Sequence, residues 1–106
     1  MTSDTDRMAA PAEGCTVITL PIGLHARPSV KLTKLAKTFD SAIRLRAGGE
    51  GANGDWVDAK SIVRVMAMKV RVGQTLTFRA EGMDAERAVN ALVDLVERNF
   101  DESAPG

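Results

Sequence analysis

The sequence predicts an α+β domain with the element order β-α-β-β-α-β-α, a four-stranded, mainly antiparallel sheet with three helices packed on one face. Three observations carry this expectation. Hydrophobic periodicity switches repeatedly between two residues and about 3.6 residues along the chain. The length of 106 residues suits one small domain. Hydrophobic content of 44% beside 26% charged residues is that of a globular fold rather than a disordered chain.

The elements follow in order. Residues 1–14, MTSDTDRMAAPAEG, are small and polar without apolar periodicity, which predicts a disordered leader or a linker remnant. TVITLP predicts a strand with Ile18 and Leu20 on one face. Leu32, Leu35, Ala36 and Phe39 recur at helical spacing over about three turns. AIRLRA alternates Ile43 and Leu45 with Arg44 and Arg46, a half-buried strand. GGEGANGD carries too much glycine for anything but a turn, and WVDA returns from it as a short strand. Ala59, Ile62, Val63 and Met66 predict a short helix with Ser61 near its start. QTLTFRA alternates again, with Leu76 and Phe78 facing in. Asp84 is expected to cap a last helix whose inner face is Ala85, Ala88, Val89, Leu92, Val96 and Phe100. The domain is expected to span residues 15–101, with a frayed tail over 102–106. Arg44, Arg46, Thr75, Thr77 and Arg79 belong to the solvent face of the sheet.

Composition narrows the function classes. No apolar run is long enough to span a membrane, and no basic-then-apolar leader is present, so membrane insertion is not expected. Cys15 is the single cysteine and cannot form an internal disulfide, which fits a reducing, cytoplasmic location. One His and one Cys ten residues apart do not make a metal site. No cofactor is implied. The net charge is zero, but eleven Lys and Arg stand against four Asp and Glu from His25 to Arg79, and two against seven from Ala80 onward. A basic middle and an acidic end are compatible with one face built for an acidic partner.

The stretch GLHARPS, Gly23 to Ser29, holds the only histidine of the chain. Gly23 allows a sharp turn whatever the sign of φ, and Pro28 suits the first turn of a helix. His25 is therefore placed at or just before a helix N-terminus. There the N–H groups of Ala26 and Arg27 lack intrahelical partners. Those donors, the positive helix end and the Arg27 guanidinium converge on a volume that suits a phosphate or another dianion. A neutral ring nitrogen in that position is a competent nucleophile. A plain capping histidine would occupy the same place with no chemistry.

GLHARPS resembles the active-site stretch of the histidine-containing phosphocarrier (HPr) family of the bacterial phosphotransferase system, with Gly23, Leu24, His25, Arg27 and Pro28 matching Gly-Leu-His-Xaa-Arg-Pro. A second stretch, KSIVRVMAM from Lys60, is similar to the Lys-Ser-Ile segment that opens the family's short second helix. The resemblance covers about residues 15–101 and implies an open-faced β-sandwich. It also implies that His25 takes a phosphoryl group from phospho-enzyme I and passes it to an enzyme IIA domain of the sugar system, with Arg27 stabilising the phosphate. By the same resemblance, Ile62, Val63 and Met66 form an apolar docking patch while Val65 points inward. That patch would be rimmed by Arg27, Lys31, Lys34, Lys37 and Arg64. Ser61, a helix cap by its own chemistry, is phosphorylated by a regulatory serine kinase in part of the family.

Ser29 in place of the usual alanine, Arg64 in place of glycine or lysine, the long glycine-rich turn and the leader depart from the common pattern. They fit a divergent monomeric carrier, or an HPr-like domain of a dihydroxyacetone kinase or nitrogen-regulatory branch. A non-phosphorylated regulatory interaction module would lack reason to keep both His25 and Arg27. A ferredoxin-like nucleic-acid-binding domain shares the element order but stacks bases on strand aromatics. This chain has no tyrosine, and Phe78 is expected to face inward, so nucleic acid is not an expected partner.

Overall fold

A computed structural model describes residues 11–48 and 54–101. Most of the predicted leader, the 102–106 tail and residues 49–53 of the glycine-rich turn lie outside the described residues. The elements are β1 (Ala12–Val17), α1 (Ala26–Ala36), β2 (Ala42–Ala47), β3 (Val57–Asp58), α2 (Ile62–Ala67), β4 (Thr75–Glu81) and α3 (Ala85–Glu97). The strands form one antiparallel sheet in the order β1-β4-β2-β3. The α+β class and the element order are those expected from the sequence.

One strand is shifted. β1 begins at Ala12, inside the predicted leader, and ends at Val17 rather than running through Leu20. It pairs along β4 from Ala12 opposite Ala80 to Val17 opposite Thr75. Its inward positions are Ala12, Gly14 and Thr16, too small or polar to read as an apolar strand. The reason is the close approach of α3: a Cβ on Gly14 would stand 2.8 Å from a Val89 methyl and 3.2 Å from one of Val93. Ile18 continues the pairing past the strand, with its N–H on Gln74 O at 2.9 Å, and is fully buried.

The core sits between the sheet and the helices. Ile43 and Leu45 of β2, and Leu76, Phe78 and Ala80 of β4, meet Leu32 and Ala36 of α1, Val65 of α2, and Ala88, Leu92 and Val96 of α3. Each fully buried Val, Leu, Ile or Phe side chain here contributes roughly 1.5–3 kcal/mol relative to exposure. The opposite face of the sheet is not uniformly solvated. Thr77, assigned to solvent from the sequence, is only 5% exposed. β4 is a central strand, and the Thr77 hydroxyl donates to Gly48 O at 2.9 Å while Cys15 Sγ lies 3.5 Å from it.

Asp84 occupies the N-cap position of α3, but its side chain does not bond that helix's N–H groups. Its carboxylate instead accepts from Asp40 N (2.9 Å), Ser41 N (3.0 Å) and the Ser41 hydroxyl. The acid therefore ties the entry of β2 to the start of α3. The Ser41 hydroxyl, then the Asp40 N–H, hold its pKa below the usual value, although desolvation opposes them. Trp56 is half-buried with the Arg46 guanidinium 4.5 Å above its ring. Among the described residues, no helix is long and apolar enough to cross a membrane.

Candidate functional site

Between β1 and α1 the chain makes a tight turn, closed by Gly23 N–H on Leu20 O at 2.9 Å. Gly23 has φ +76°, and a Cβ there would fall onto the Val70 carbonyl oxygen. Both facts require glycine. Leu24 is buried, 3% exposed, and donates its N–H to Val70 O at 2.9 Å. A buried anchor thus precedes an exposed imidazole, and the loop before β4 holds the other side of the turn.

His25 is the N-cap of α1, with extended backbone (φ −100°, ψ −162°) and no side-chain capping bond. Its carbonyl already accepts from Ser29 N at 2.9 Å, so the helix is closed by backbone alone and the ring stays exposed. Pro28 brings no N–H and is buried. The N–H groups of Ala26 and Arg27, in the first turn, have no acceptor among the described residues. The result is an open helix N-terminus: two donors without an acceptor among the described residues and a positive dipole end, with His25 and Arg27 both exposed.

The structure sorts the predicted rim. Arg27 and Lys34 line a shallow depression of about 320 Å³ with Ala26, Val30 and Lys31. Lys31 is only half-exposed, and its ammonium donates to Phe100 O at 2.9 Å, which binds α1 to the end of α3. Lys37 caps the far end of α1, about 18 Å along the axis from His25 at 1.5 Å per residue. On α2, Val63 is 73% and Met66 41% exposed, Ile62 is half-buried and Val65 is fully buried. Arg64 is exposed on the same helix, which packs beside α1. Ser61 caps α2, its hydroxyl accepting from Arg64 N at 3.3 Å. Ile22, 74% exposed, adds an apolar side chain from the turn before His25.

Sequence reasoning passed over Lys69 and Arg71. Both are exposed on the loop that holds the Gly23–Leu24 turn. Nothing in their local pattern separates them from ordinary loop cations. Ser29, which departs from the family's usual alanine, is fully buried with a hydroxyl that has no partner among the described residues. Among the described residues no three His, Cys, Asp or Glu side chains are grouped to hold a metal ion.

Comparison with known proteins places the chain in one family. The family profile described as the PTS HPr component phosphorylation site matches residues 12–98. The phosphocarrier protein HPr of Cupriavidus necator is 41% identical over 87 residues, covering 82% of this chain and 92% of that one. The phosphoryl donor subunit DhaM of a PEP-dependent dihydroxyacetone kinase from Providencia stuartii is 38% identical over 87 residues, 82% of this chain but 17% of that longer protein. Among solved structures, HPr-C-His from Thermoanaerobacter tengcongensis superposes with a TM-score of 0.75 at 37% identity, covering 87% of this chain and 98% of that one.

Proposed function

Because the chain belongs to the HPr family of the phosphotransferase system, we propose that it relays a phosphoryl group through His25, from phospho-enzyme I to an enzyme IIA domain. The observation that carries this reading is the exposed His25 ring at a helix N-terminus whose first donors are free. A ring nitrogen of His25 attacks the donor's phosphorus, a new N–P bond forms, and the bond between the phosphorus and the donor breaks with its electron pair returning to the donor. The phosphoryl oxygens then meet the N–H groups of Ala26 and Arg27 and the Arg27 guanidinium. These groups need no rearrangement to receive the charge, which favours arrival and departure alike. Val63, Met66 and Ile62 supply apolar contact to the partner, and Arg27, Lys34 and Arg64 steer an acidic surface toward it. In this reading the carrier is a cytoplasmic monomer.

Incubation with phosphoenolpyruvate and enzyme I, followed by intact mass, tests the proposal. One acid-labile phosphate is expected on the wild type and none on His25→Ala. A phosphate that persists on His25→Ala would overturn the assignment. Arg27→Ala is expected to slow transfer with the fold intact, since the guanidinium is exposed. The likeness to a segment of the Providencia donor subunit favours a second reading, in which the acceptor belongs to a dihydroxyacetone kinase branch. Offering the phosphorylated protein to isolated acceptor domains of each kind separates the two.

A further inference from the structure

α2 ends in an unusual way. Met68 is its C-cap, and the next residue, Lys69, has a left-handed backbone with φ +52°. That position after a helix is normally filled by glycine, because a Cβ is disfavoured there. Here a lysine holds it, and its side chain is exposed. Neither Lys69 nor Arg71 makes a side-chain hydrogen bond or ion pair among the described residues. Their placement is fixed by the backbone. Val70, between them, accepts the Leu24 N–H at 2.9 Å, and Arg71 Cα would stand 2.9 Å from a Cβ on Gly23. His25 follows Leu24 directly, so the Lys69–Arg71 backbone lies against the turn that carries the imidazole.

We propose that Lys69, with Arg71 beside it, is a specificity-determining contact for the carboxylates of the protein that donates the phosphoryl group. Arg27 and Lys34 approach that partner from α1 and Arg64 from α2. Lys69 and Arg71 add two exposed cations from the loop that holds the Gly23–Leu24 turn. A backbone conformation unfavourable for lysine is kept because a glycine there would remove the charge. Such exchanges of stability for function are characteristic of binding surfaces. This inference rests on the phosphoryl-relay reading above.

The test compares Lys69→Gly, Lys69→Gln and Lys69→Arg in transfer from phospho-enzyme I at low ionic strength, with thermal unfolding alongside. Lys69→Gln is expected to raise KM by roughly 3–10-fold at nearly constant kcat and to flatten the salt dependence of kcat/KM. Lys69→Arg is expected to transfer like the wild type. Lys69→Gly is expected to unfold a few degrees higher while transferring as poorly as Lys69→Gln. A lysine kept only for the C-terminal carbonyls of α2 would lower stability when replaced by glutamine but leave KM unchanged, and that result overturns the proposal. A wild type that takes no phosphate on His25 would instead overturn the relay reading beneath it.

Discussion

The N-termini of α1 and α2 belong to neighbouring helices and are finished in opposite ways. At α2 the Ser61 hydroxyl accepts the Arg64 N–H, so one of the helix's orphan donors is satisfied within the chain. At α1 the corresponding residue is His25, whose ring caps nothing, and the Ala26 and Arg27 donors face outward. The same backbone device is a structural joint in one place and leaves two donors without an acceptor among the described residues in the other. The serine hydroxyl, one bond from Cβ, reaches back to the helix, whereas the His25 ring makes no capping bond. α3 adds a third solution, since Asp84 spends its carboxylate on Asp40 and Ser41 of a different element.

The comparison can be broken by removing each N-cap side chain and reading stability, where effects should fall in the order α3, α2, α1. Asp84→Asn is expected to cost the most in thermal stability, because one carboxylate receives three donors from the start of β2. Its pH dependence follows from the sign of the shift. A carboxyl whose folded pKa is lowered contributes stability that is present above the unfolded value and lost as pH falls through the folded one. The gap between wild type and Asp84→Asn should therefore be full near neutrality and close in acid, below the ordinary carboxylate range of about 4. Urea unfolding at several pH values measures it.

Ser61→Ala is expected to cost about 1 kcal/mol, the usual loss of a serine N-cap. Ser61→Asp retains an oxygen for the helix and should unfold near the wild-type temperature. It also sets a negative charge between Val63, Arg64 and the His25 surface, so transfer from enzyme I should weaken, chiefly through KM. Unchanged transfer by Ser61→Asp would move the docking face away from α2. His25→Ala should show the smallest stability change, within about 0.5 kcal/mol, since no capping bond is lost. A large loss would mean that the histidine is a structural cap, and would erase the contrast between the two helix ends.

Much of this was legible in the sequence, for identifiable physical reasons. β2 and β4 could be read because their inward residues, Ile43, Leu45, Leu76 and Phe78, are large and alternate with polar ones. β1 was misplaced because its inward residues, Ala12, Gly14 and Thr16, are small or polar and leave no periodic signal, and at Gly14 the close approach of α3 leaves no room for a side chain. The start of α1 was legible from Gly23, His25 and Pro28, each with a distinct backbone consequence. Lys31 was not, because its bond to Phe100 O joins residues 69 positions apart. Asp84 illustrates the limit most clearly. Its position at the helix start was readable, but its partners, 43 and 44 residues earlier, were a matter of tertiary packing.

The account turns on the open N-terminus of α1 receiving the phosphoryl group that the closed end of α2 does not. Amide proton and nitrogen shifts, recorded before and after phosphorylation by enzyme I and phosphoenolpyruvate, test this directly. The Ala26 and Arg27 amides should move by far the most, since they change from free donors to donors bound to a dianion. The Val63 and Arg64 amides, at the end closed by Ser61, should scarcely move. Ala26 and Arg27 shifts no larger than those at Val63 and Arg64, in a protein carrying phosphate on His25, would contradict the account.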